Sequence, residues 1–478
     1  MLLPVAPFSS ALLLFTNAAL SLLPSIAAKH PNDKRLACQG FTKCFEPKNC
    51  PPGTLYVSRT DSDAHFKTIS AAIASLPSDT SAKTIVVGAG HYQEQLNVTR
   101  AVVPLRELKL QTPRSGAHQP WVLTTKFTPD PKQGQTGGST TNQVTVFFSK
   151  GTTQVSVGGV FQSSNIDNGA TAVLSVAPSY NASLTGAGYT GDPLITDPSQ
   201  SGCSDFRMYN MDLDQEWGPV NTGPALAVSV SYANASFYGV GVFGYQDTVY
   251  AGHNASVLFL DSDIRGATDF LYGFGSLWIE SSTLGSRGAG GGIVAWKGSV
   301  QPAGNLYGAL VTKRSARAQR IAPDLNATLN ITHKVALGRP WNNASRTIYL
   351  DTYMDDHILP AGFIEWSATD PRLNFTLFYA EYNSSGPGFN ATARAALTAG
   401  TPLTAPATDA QHIEHILTAP QANMSSFSKV FGSNLGWADF FYDDGSFAAS
   451  VGDRQHRSHG HKRDSHTRKV KGAGRVLF

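Results

Sequence analysis

Short apolar runs recur through the middle of the chain, each ended by a glycine or a small polar residue. The segments "ASFYGVGVFG", "ASVLFLDSDIRG" and "GSLWIESSTLGS" follow one another, with Ser236, Ser256 and Ser276 spaced twenty residues apart. A repeat of this length is typical of solenoid proteins, whose units stack side by side. Because the runs read as strands joined by short turns, without an amphipathic helix between them, the pattern favours an all-β parallel β-helix over a βαβ solenoid.

Two acidic residues occupy matching places in this repeat. Asp247 in "GYQDTVYAG" and Asp269 in "GATDFLYGFG" each follow a strand-like run, and the interval between them is close to one repeat. Since successive coils stack at about 4.8 Å, we predict that the two carboxylates are close neighbours on one outer face, where the pKa of one should rise. One acid and one carboxylate suit general acid–base and nucleophilic catalysis. The alternative is that both aspartates only satisfy the backbone of their turns.

The chain divides into five segments by composition. Residues 1–28 are apolar, uncharged and end in small residues, which predicts a secretory signal peptide and an extracellular protein. Residues 29–60 hold three cysteines, and the repeat predicts a β-helix over 61–400. For 401–448, "DAQHIEHIL" indicates loops and short helices packed on the end of the β-helix. No later apolar run is long enough to span a bilayer, so no membrane association is expected.

The last segment, residues 449–478, differs in charge from the rest of the chain. It carries eight Lys or Arg and two Asp, a net charge of +6, whereas the whole chain has +3. It is also rich in histidine and lacks a periodic apolar face, so we predict a disordered tail. Such a tail either binds a polyanion or is simply solvated.

Cysteines and sequons agree with a secretory route. Cys38, Cys44 and Cys50 are clustered and Cys203 is distant; one local disulfide and one bridge to Cys203 fit this spacing, but the sequence leaves all three pairings open. A zinc site is a weaker alternative, because the ligand spacing is wrong and no histidine is close. Sequons, which predict a glycoprotein, begin at Asn97, Asn181, Asn234, Asn254, Asn326, Asn330, Asn343, Asn374, Asn383, Asn390 and Asn423.

Several motifs together resemble the pectinesterase (pectin methylesterase) family. They are "DAHFKTISAAIASLP", "GHYQEQL", "GYQDTVY", "GATDFLYG", "LGRPWNNASRTIYLDTYMDDHILPAGFIEW" and "TLFYAEYNSSGPG", in family order over about residues 60–390. The resemblance implies a right-handed parallel β-helix, in agreement with the repeat, and a secreted enzyme of fungal type without cofactor or metal. We expect a monomer that acts on methyl-esterified pectin and binds no nucleic acid.

The resemblance also implies roles for individual residues. Asp269 looks like the nucleophile that attacks the methyl-ester carbonyl, and Asp247 looks like the acid that then serves as base for water. Arg339, in "LGRPW", would bind the Asp269 carboxylate, and Gln246 would donate to the developing oxyanion. The residues expected to form walls for galacturonate rings are Trp341, Tyr272, Phe270 and Tyr250.

Two positions depart from the family pattern. The family has a second oxyanion glutamine one strand before "YQD", whereas this chain reads "PALAV", with Pro224 at that place. Either Gln246 and a backbone amide suffice, or the activity is reduced. The family's Ile-Thr-Ala-Gln stretch reads "IVAW" here, so that Trp296 either reshapes the groove or packs in the interior.

Two other functions remain as alternatives. A polygalacturonase or pectate lyase would share the β-helix and the acidic polymer, but would need acid clusters or calcium ligands that the sequence does not display. A non-catalytic β-helix protein that binds carbohydrate would explain the repeat and the sequons, but not "LGRPW" together with both aspartates. The chain also lacks a Gly-x-Ser-x-Gly elbow, which weakens the case for a serine hydrolase.

Overall fold

The structure, a computed structural model, describes residues 50–440 and residue 442 with some gaps. The gaps are at 78, 80, 100–120, 126–143, 149–153, 158–159, 164–165, 186–201, 218–222, 299–307, 313–316, 320–329, 375, 395–412 and 441. The predicted signal peptide 1–28, Cys38, Cys44, the sequon at Asn326 and the basic tail 449–478 therefore lie outside the described residues.

Short strands are the main regular structure of the described chain. The first are β1 (Leu55–Val57), β2 (Lys83–Val87), β3 (Gly90–Gln93), β4 (Leu96–Val98), β5 (Trp121–Thr125), β6 (Val144–Phe148), β7 (Gln154–Val157), β8 (Val160–Ser163) and β9 (Leu174–Val176). They continue with β10 (Phe206–Tyr209), β11 (Asp212–Gln215), β12 (Val228–Val230), β13 (Asn234–Tyr238), β14 (Gly241–Phe243), β15 (Val249–Ala251), β16 (Ser256–Leu260), β17 (Asp263–Gly266), β18 (Leu271–Gly273) and β19 (Ser276–Glu280). The last are β20 (Thr283–Ser286), β21 (Gly292–Trp296), β22 (Gly308–Thr312), β23 (Arg317–Gln319), β24 (Ala336–Pro340), β25 (Arg346–Leu350), β26 (Tyr353–Met354), β27 (Phe378–Tyr382) and β28 (Glu414–Ile416).

Twenty-six of these strands form three parallel sheets that the chain visits in turn, while β7 and β8 pair with each other antiparallel. Sheet A contains β1, β2, β5, β10, β13, β16, β19, β22, β25, β27 and β28. Sheet B contains β3, β6, β11, β14, β17, β20, β23 and β26, and sheet C contains β4, β9, β12, β15, β18, β21 and β24. A typical coil contributes one strand to each sheet, as β13, β14 and β15 do. The predicted parallel β-helix is confirmed.

The register of sheet A corrects one detail of the predicted repeat. Ser256 pairs with Ser276, as the twenty-residue spacing predicts. Ser256 pairs on its other side with Asn234, however, so Ser236 lies two residues out of register. The coil from Asn234 to Ser256 is thus two residues longer than the coil that follows it, and the apparent serine repeat was wrong there.

A single residue with left-handed backbone turns the chain from sheet A into sheet B. It recurs in six coils as Asn210, Gly239, Asp261, Ser281, Asp351 and Asn383, with φ between 51° and 61°; between β22 and β23 the connection is longer. In each case one further residue follows before the next strand or bridge begins. Glycine, asparagine and aspartate tolerate this region best, since the Cβ penalty is absent or a short polar side chain offsets it.

The interior of the coils is a continuous apolar core. Apolar side chains from all three sheets meet there, and Phe237 stacks on Phe259 of the next coil at 4.5 Å between ring centroids. Like residues stack because in-register parallel strands place equivalent side chains directly above one another. This column of contacts fixes the phase of each coil against the next.

Helices are short and lie at the ends and on the outside. They are α1 (Ile69–Ala74), α2 (Tyr180–Ser183), α3 (Ala391–Arg394), α4 (Ala419–Ala422) and α5 (Phe427–Phe431), with 3-10 turns at Asn168–Thr171 and Asn423–Ser425. Among the described residues, no helix is long and apolar enough to cross a bilayer.

The helix α1 covers the first coil and depends on Glu94 of "GHYQEQL". The Glu94 carboxylate accepts the Ile69 amide at 2.9 Å and the Ser70 amide at 2.7 Å. These are amides of the first helical turn, which have no partner inside the helix. Ile69 is fully buried in the core, so the helix closes the apolar interior at this end.

The strands extend past the expected limits of 61 and 400 at both ends. β1 belongs to the segment 29–60, and β28 lies inside "DAQHIEHIL", where loops and helices were expected. Beyond β28, the predicted short helices are present: Phe427 and Trp437 cover the outer face of sheet A, where they contact residues such as Trp278. This part of sheet A is therefore covered on both faces by apolar side chains.

Candidate active site

The two aspartates lie one coil apart, in the turns that lead from sheet B into sheet C. Asp247 precedes β15 and Asp269 precedes β18, and the Asp247 amide donates to the Thr268 carbonyl at 3.2 Å. Both aspartates have positive φ, 63° and 48°, a region that aspartate adopts more readily than most residues. The interval of one coil therefore brings the two acidic side chains to the same corner of neighbouring coils.

Arg339, on β24 of sheet C, binds the Asp269 carboxylate with a fork of short contacts. Its Nε lies 3.0 Å from Oδ1 and 3.1 Å from Oδ2, and its Nη2 lies 2.6 Å from Oδ2. The Gly292 amide donates to Oδ1 at 3.3 Å. Asp269 is only 5% exposed, so these charge-assisted bonds compensate its burial and fix the orientation of its carboxylate.

The guanidinium of Arg339 is itself held in place by Trp366. Its Cζ lies 4.3 Å from the centroid of the Trp366 ring, and its Nη1 donates to the Trp366 carbonyl at 3.3 Å. Arg372 stacks on the same ring at 4.4 Å. A cation over an indole face is a favourable electrostatic contact, so Trp366 orients Arg339, which in turn orients Asp269.

Asp247 has a contrasting environment. Burial raises the pKa of the Asp247 carboxyl well above its ordinary value and the charge of Asp269 raises it further, while Arg339 and a hydrogen bond from Asn168 oppose the rise. The Asn168 Nδ2 donates to Asp247 Oδ2 at 2.8 Å. A carboxyl that keeps its proton toward neutral pH can act as a general acid. The pair therefore combines a carboxylate clamped by Arg339 with a carboxyl whose pKa is raised, which makes Asp247 the candidate proton donor.

One outward-facing row of sheet C runs beside the aspartates. Tyr250 pairs with Tyr272, Tyr272 with Ala295, and Ala295 with Arg339. The rings of Tyr250 and Tyr272 lie 4.8 Å apart, and Tyr272 contacts Trp341 at 5.5 Å. The register thus places the Arg339 guanidinium and an aromatic surface on the same side of the sheet.

A second row, two residues further along the strands, is more exposed. Phe274 and Trp341 are half-buried and lie 5.1 Å apart. The Lys297 ammonium lies 4.2 Å from the centroid of Trp341 and 4.6 Å from that of Phe274. Together these side chains form a wall of aromatic faces with one cation, beside the carboxylates.

The structure separates the predicted wall residues. Trp341 is half-buried at the surface, whereas Tyr272 is almost wholly covered. Tyr250 is fully buried, so the expectation that it forms a wall for sugar rings is wrong. Phe270 is also fully buried and belongs to the interior core, so the expectation that it forms a wall for sugar rings is wrong here. Phe270 lies before β18, which begins at Leu271, so strand alternation does not set the direction of its ring. Gln246 is half-buried immediately before Asp247.

The two departures from the family pattern have different outcomes. Trp296 is fully buried in the core, where its Nε1 donates to the Gly275 carbonyl at 3.2 Å, so it packs in the interior and does not reshape the groove. Pro224 is buried in the coil that precedes Asp247, next to Ala225, whose amide donates to the Gln246 carbonyl at 3.1 Å. At this place the chain offers no side-chain amide.

Sequence reasoning missed four residues of the site: Asn168, Phe274, Lys297 and Trp366. Trp366 is part of the motif that ends in "GFIEW". Phe274 comes two residues after Tyr272, so strand alternation predicts that it lies on the same face of sheet C. Lys297 follows the same alternation from Ala295. Asn168 is 79 residues from Asp247, and no local pattern points to it.

Cys50 and Cys203 also have definite places, outside this site. Cys50 forms a disulfide and is almost fully buried. Cys203 is buried against the interior core. Because Cys38 and Cys44 lie outside the described residues, the expected bridge to Cys203 stays a prediction and all three pairings stay open.

Comparisons with known sequences agree with the motifs. The Pectinesterase family model matches residues 199–413, a range that contains both aspartates and Arg339. "Probable pectinesterase/pectinesterase inhibitor 20" of Arabidopsis thaliana is 34% identical over 193 residues, which are 39% of this chain and 32% of that protein. The chain thus matches about a third of the length of this curated relative.

Solved structures extend the similarity over more of the fold. The pectin methylesterase from Aspergillus niger aligns over 82% of this chain and 97% of its own, with 23% identity and a TM-score of 0.53. A pectin methylesterase mutant in complex with a hexasaccharide aligns over 79% of this chain and 97% of its own, with 19% identity and a TM-score of 0.50. At these identities the comparison shows the fold, a parallel β-helix.

Proposed function

We propose that this chain is a pectinesterase, because the Pectinesterase family model matches residues 199–413, and that it hydrolyses the methyl esters of homogalacturonan to pectate and methanol. The observation that carries the proposal is the carboxylate pair. Asp269 is clamped by Arg339, while burial and the Asp269 charge raise the pKa of Asp247. Ester hydrolysis through a covalent intermediate needs these two species side by side.

In the first half of the proposed reaction, an Asp269 oxygen attacks the ester carbonyl carbon. The carbonyl electrons move to oxygen, and the oxyanion accepts a hydrogen bond from the Gln246 amide. Asp247 then gives its proton to the methoxy oxygen as the carbon–oxygen bond breaks, which releases methanol. The product is a mixed anhydride between Asp269 and the galacturonate carboxyl, and Asp247 is left ionised.

In the second half, ionised Asp247 takes a proton from water as the water oxygen attacks the anhydride. The anhydride bond breaks, Asp269 returns as a carboxylate beside Arg339, and the galacturonic acid gives its proton to solvent. Asp247 is again protonated, so both residues regain their starting states. Arg339 keeps the nucleophile oriented through both halves, because its fork contacts both carboxylate oxygens.

The wall formed by Phe274, Trp341 and Lys297 is the proposed binding surface for the polysaccharide. Aromatic faces stack on the apolar faces of sugar rings, and the cation suits an acidic polymer. The relative solved with a hexasaccharide supports a polysaccharide ligand for this fold. The proposed substrate is therefore a chain of galacturonate rings that lies across sheet C.

Secretion and glycosylation belong to the same proposal. They rest on the predicted signal peptide and on sequon asparagines that are exposed, among them Asn97, Asn254 and Asn343. A secreted enzyme would meet plant cell-wall pectin outside the cell.

The test is product analysis with matched variants. Wild-type protein should release methanol from methylated pectin without new reducing ends or unsaturated products, which a polygalacturonase or a lyase would generate. Asp269→Asn should abolish methanol release, because the amide is no nucleophile, and Asp247→Asn should lower it by about 10²–10⁴-fold, as for a lost general acid. Methanol release by Asp269→Asn at the wild-type rate would rule out the mechanism.

A further inference from the structure

Asn168 reaches the carboxylate pair from two coils away. It begins the 3-10 turn Asn168–Thr171, which leads into β9, while Asp247 leads into β15; β12 lies between these strands in sheet C. The turn is rigidly fixed: Thr171 Oγ1 donates to the Asn168 carbonyl at 2.6 Å and accepts the Leu226 amide at 3.0 Å. Asn168 therefore projects toward Asp247 from a fixed backbone.

The contacts of the Asn168 amide are unequal. Its Nδ2 lies 2.8 Å from Asp247 Oδ2 and 3.4 Å from the Tyr272 hydroxyl. Its Oδ1 is buried with no hydrogen-bond partner among the described residues, and the side chain is 1% exposed. A buried amide oxygen without a partner lowers stability. Asn168 thus lowers the stability of the fold through its unpartnered oxygen, while its Nδ2 contacts Asp247 and Tyr272.

We propose that Asn168 is a positioning residue for Asp247. Its amide holds Oδ2, leaves Oδ1 to exchange the proton with the ester and with water, and stabilises the ionised carboxylate formed when Asp247 gives up its proton. The inference rests on the proposed function, because it assigns Asn168 to the acid–base half of that reaction. Asn168 touches no substrate in this scheme and acts only through Asp247.

Other charged groups face Asp247 and set the direction of the effect. Asp269 opposes ionisation of Asp247, Arg339 favours it, and Tyr272 presents a phenol whose own pKa is raised by burial and by Asp247. Asn168 works in the same direction as Arg339, since an amide donor favours the charged form. Without Asn168, the pKa of Asp247 rises further and the group becomes a weaker acid.

The experiment replaces Asn168 with leucine, which has a similar shape and no polar atoms. Asn168→Leu should lower kcat/KM on a methylated oligogalacturonate by at least about tenfold, a typical scale for a misplaced acid. The alkaline limb of its pH profile should move up by about one unit, because Asp247 must be protonated to start the reaction. Its unfolding temperature should equal or exceed that of the wild type, since the unpartnered oxygen is gone.

Asn210→Ala is the matched control. Asn210 is another buried asparagine, 3% exposed, at the corner between sheet A and sheet B. Its replacement should lower the unfolding temperature and leave the pH profile of kcat/KM in place. If Asn168→Leu behaves like this control, or keeps both the wild-type rate and the wild-type alkaline limb, the positioning role is overturned.

An activity-independent readout separates this inference from the proposed function. The infrared carbonyl stretch of the protonated Asp247 carboxyl is identified by its absence in Asp247→Asn and followed against pH. In Asn168→Leu this band should persist to higher pH than in the wild type. If the wild type releases no methanol yet the band shifts, the proposed function fails and the Asn168–Asp247 coupling stands; an unshifted band overturns the coupling.

Discussion

Two replacements of Arg339 separate the effect of its charge on catalysis from the effect of its bidentate hydrogen bonds to Asp269. The guanidinium makes contacts of 3.0, 3.1 and 2.6 Å with Asp269, and the two side chains are 22% and 7% exposed. Lysine keeps the charge but, as a point donor, does not reproduce bidentate geometry. Arg339→Lys should therefore lose about one charge-assisted hydrogen bond, roughly 1.5–3 kcal/mol. At about 1.36 kcal/mol per factor of ten, that is a loss of about 10–150-fold in kcat.

Arg339→Met removes the charge as well. Breaking a buried pair leaves Asp269 without its counter-charge, at a cost of about 3–5 kcal/mol, and the partial exposure of Arg339 favours the lower end. We expect a loss of about 10²–10³-fold in kcat and a lower unfolding temperature. The order of activity should be wild type, then Lys, then Met.

Methanol release under saturating pectin measures both variants, with calorimetry to confirm that each is folded. Added guanidinium at low millimolar concentration should partly restore Arg339→Ala, whose cavity can admit it, but not Asp269→Asn. A lysine variant within twofold of the wild type would show that the fork contributes nothing. Equal rates for Lys and Met would show that the charge contributes nothing, and either result would refute the reasoning.

Three further outcomes follow from buried charge and from the tail. The pKa of Asp247 is higher in the folded protein than in the unfolded chain, so the stability that its protonated form contributes is complete below about pH 4 and is lost as pH rises. Asp247→Asn should therefore unfold at a higher temperature than the wild type at pH 7. In calorimetric scans this difference in unfolding temperature should disappear toward pH 4. Burial and Glu381 likewise raise the pKa of Glu414, which faces Arg394. Glu414→Gln should therefore gain stability relative to the wild type as pH rises from about 4 to 8. A difference in denaturant midpoint that does not change with pH would contradict this. Deletion of residues 449–478, of net charge +6, should leave turnover on a short oligomer unchanged and weaken retention on low-ester pectin at low salt only; equal retention would leave a solvated tail.

The repeat allowed the fold and the aspartate pair to be predicted, because both depend on one period. Asp247 and Asp269 sit at the same corner of neighbouring coils, and any parallel β-helix with a coil of that length brings them together. Ser236 shows the limit of this reasoning: the coil that ends at Ser256 is two residues longer than the coil that begins there, so one spacing does not hold for both. Similar segments in the sequence show the approximate length of a coil, but they do not show which residues pair between neighbouring coils.

Contacts between distant coils were not predictable in this way. Asn168 meets Asp247 across an intervening coil, and its sequence separation of 79 residues reflects the lengths of the loops between. Phe270 and Tyr272 look equivalent in "DFLYG", yet one is in the core and the other on the outer face. Tyr272 lies inside β18, whereas Phe270 lies before its first residue, Leu271, so strand alternation applies to Tyr272 and not to Phe270.

The short corner between sheets A and B has the same two-residue length in most coils, whereas the lengths of the other turns differ. Paired residues show that coil length varies widely: the coils from Phe206 to Ala235 and from Ala309 to Thr347 are both longer than the coil from Ser256 to Ser276. At Asn210 and at Asp261 the corner consists of the left-handed residue and one further residue, so the extra length of the coil from Phe206 to Ala235 lies in its other turns, above all between β11 and β12. Insertions and deletions in the turns of coils that do not carry Asp247 or Asp269 can enlarge or shorten the walls of the groove during evolution, while the two aspartates keep their places in neighbouring coils. Substrate range can thus diverge among descendants of such a chain without new catalytic geometry having to arise.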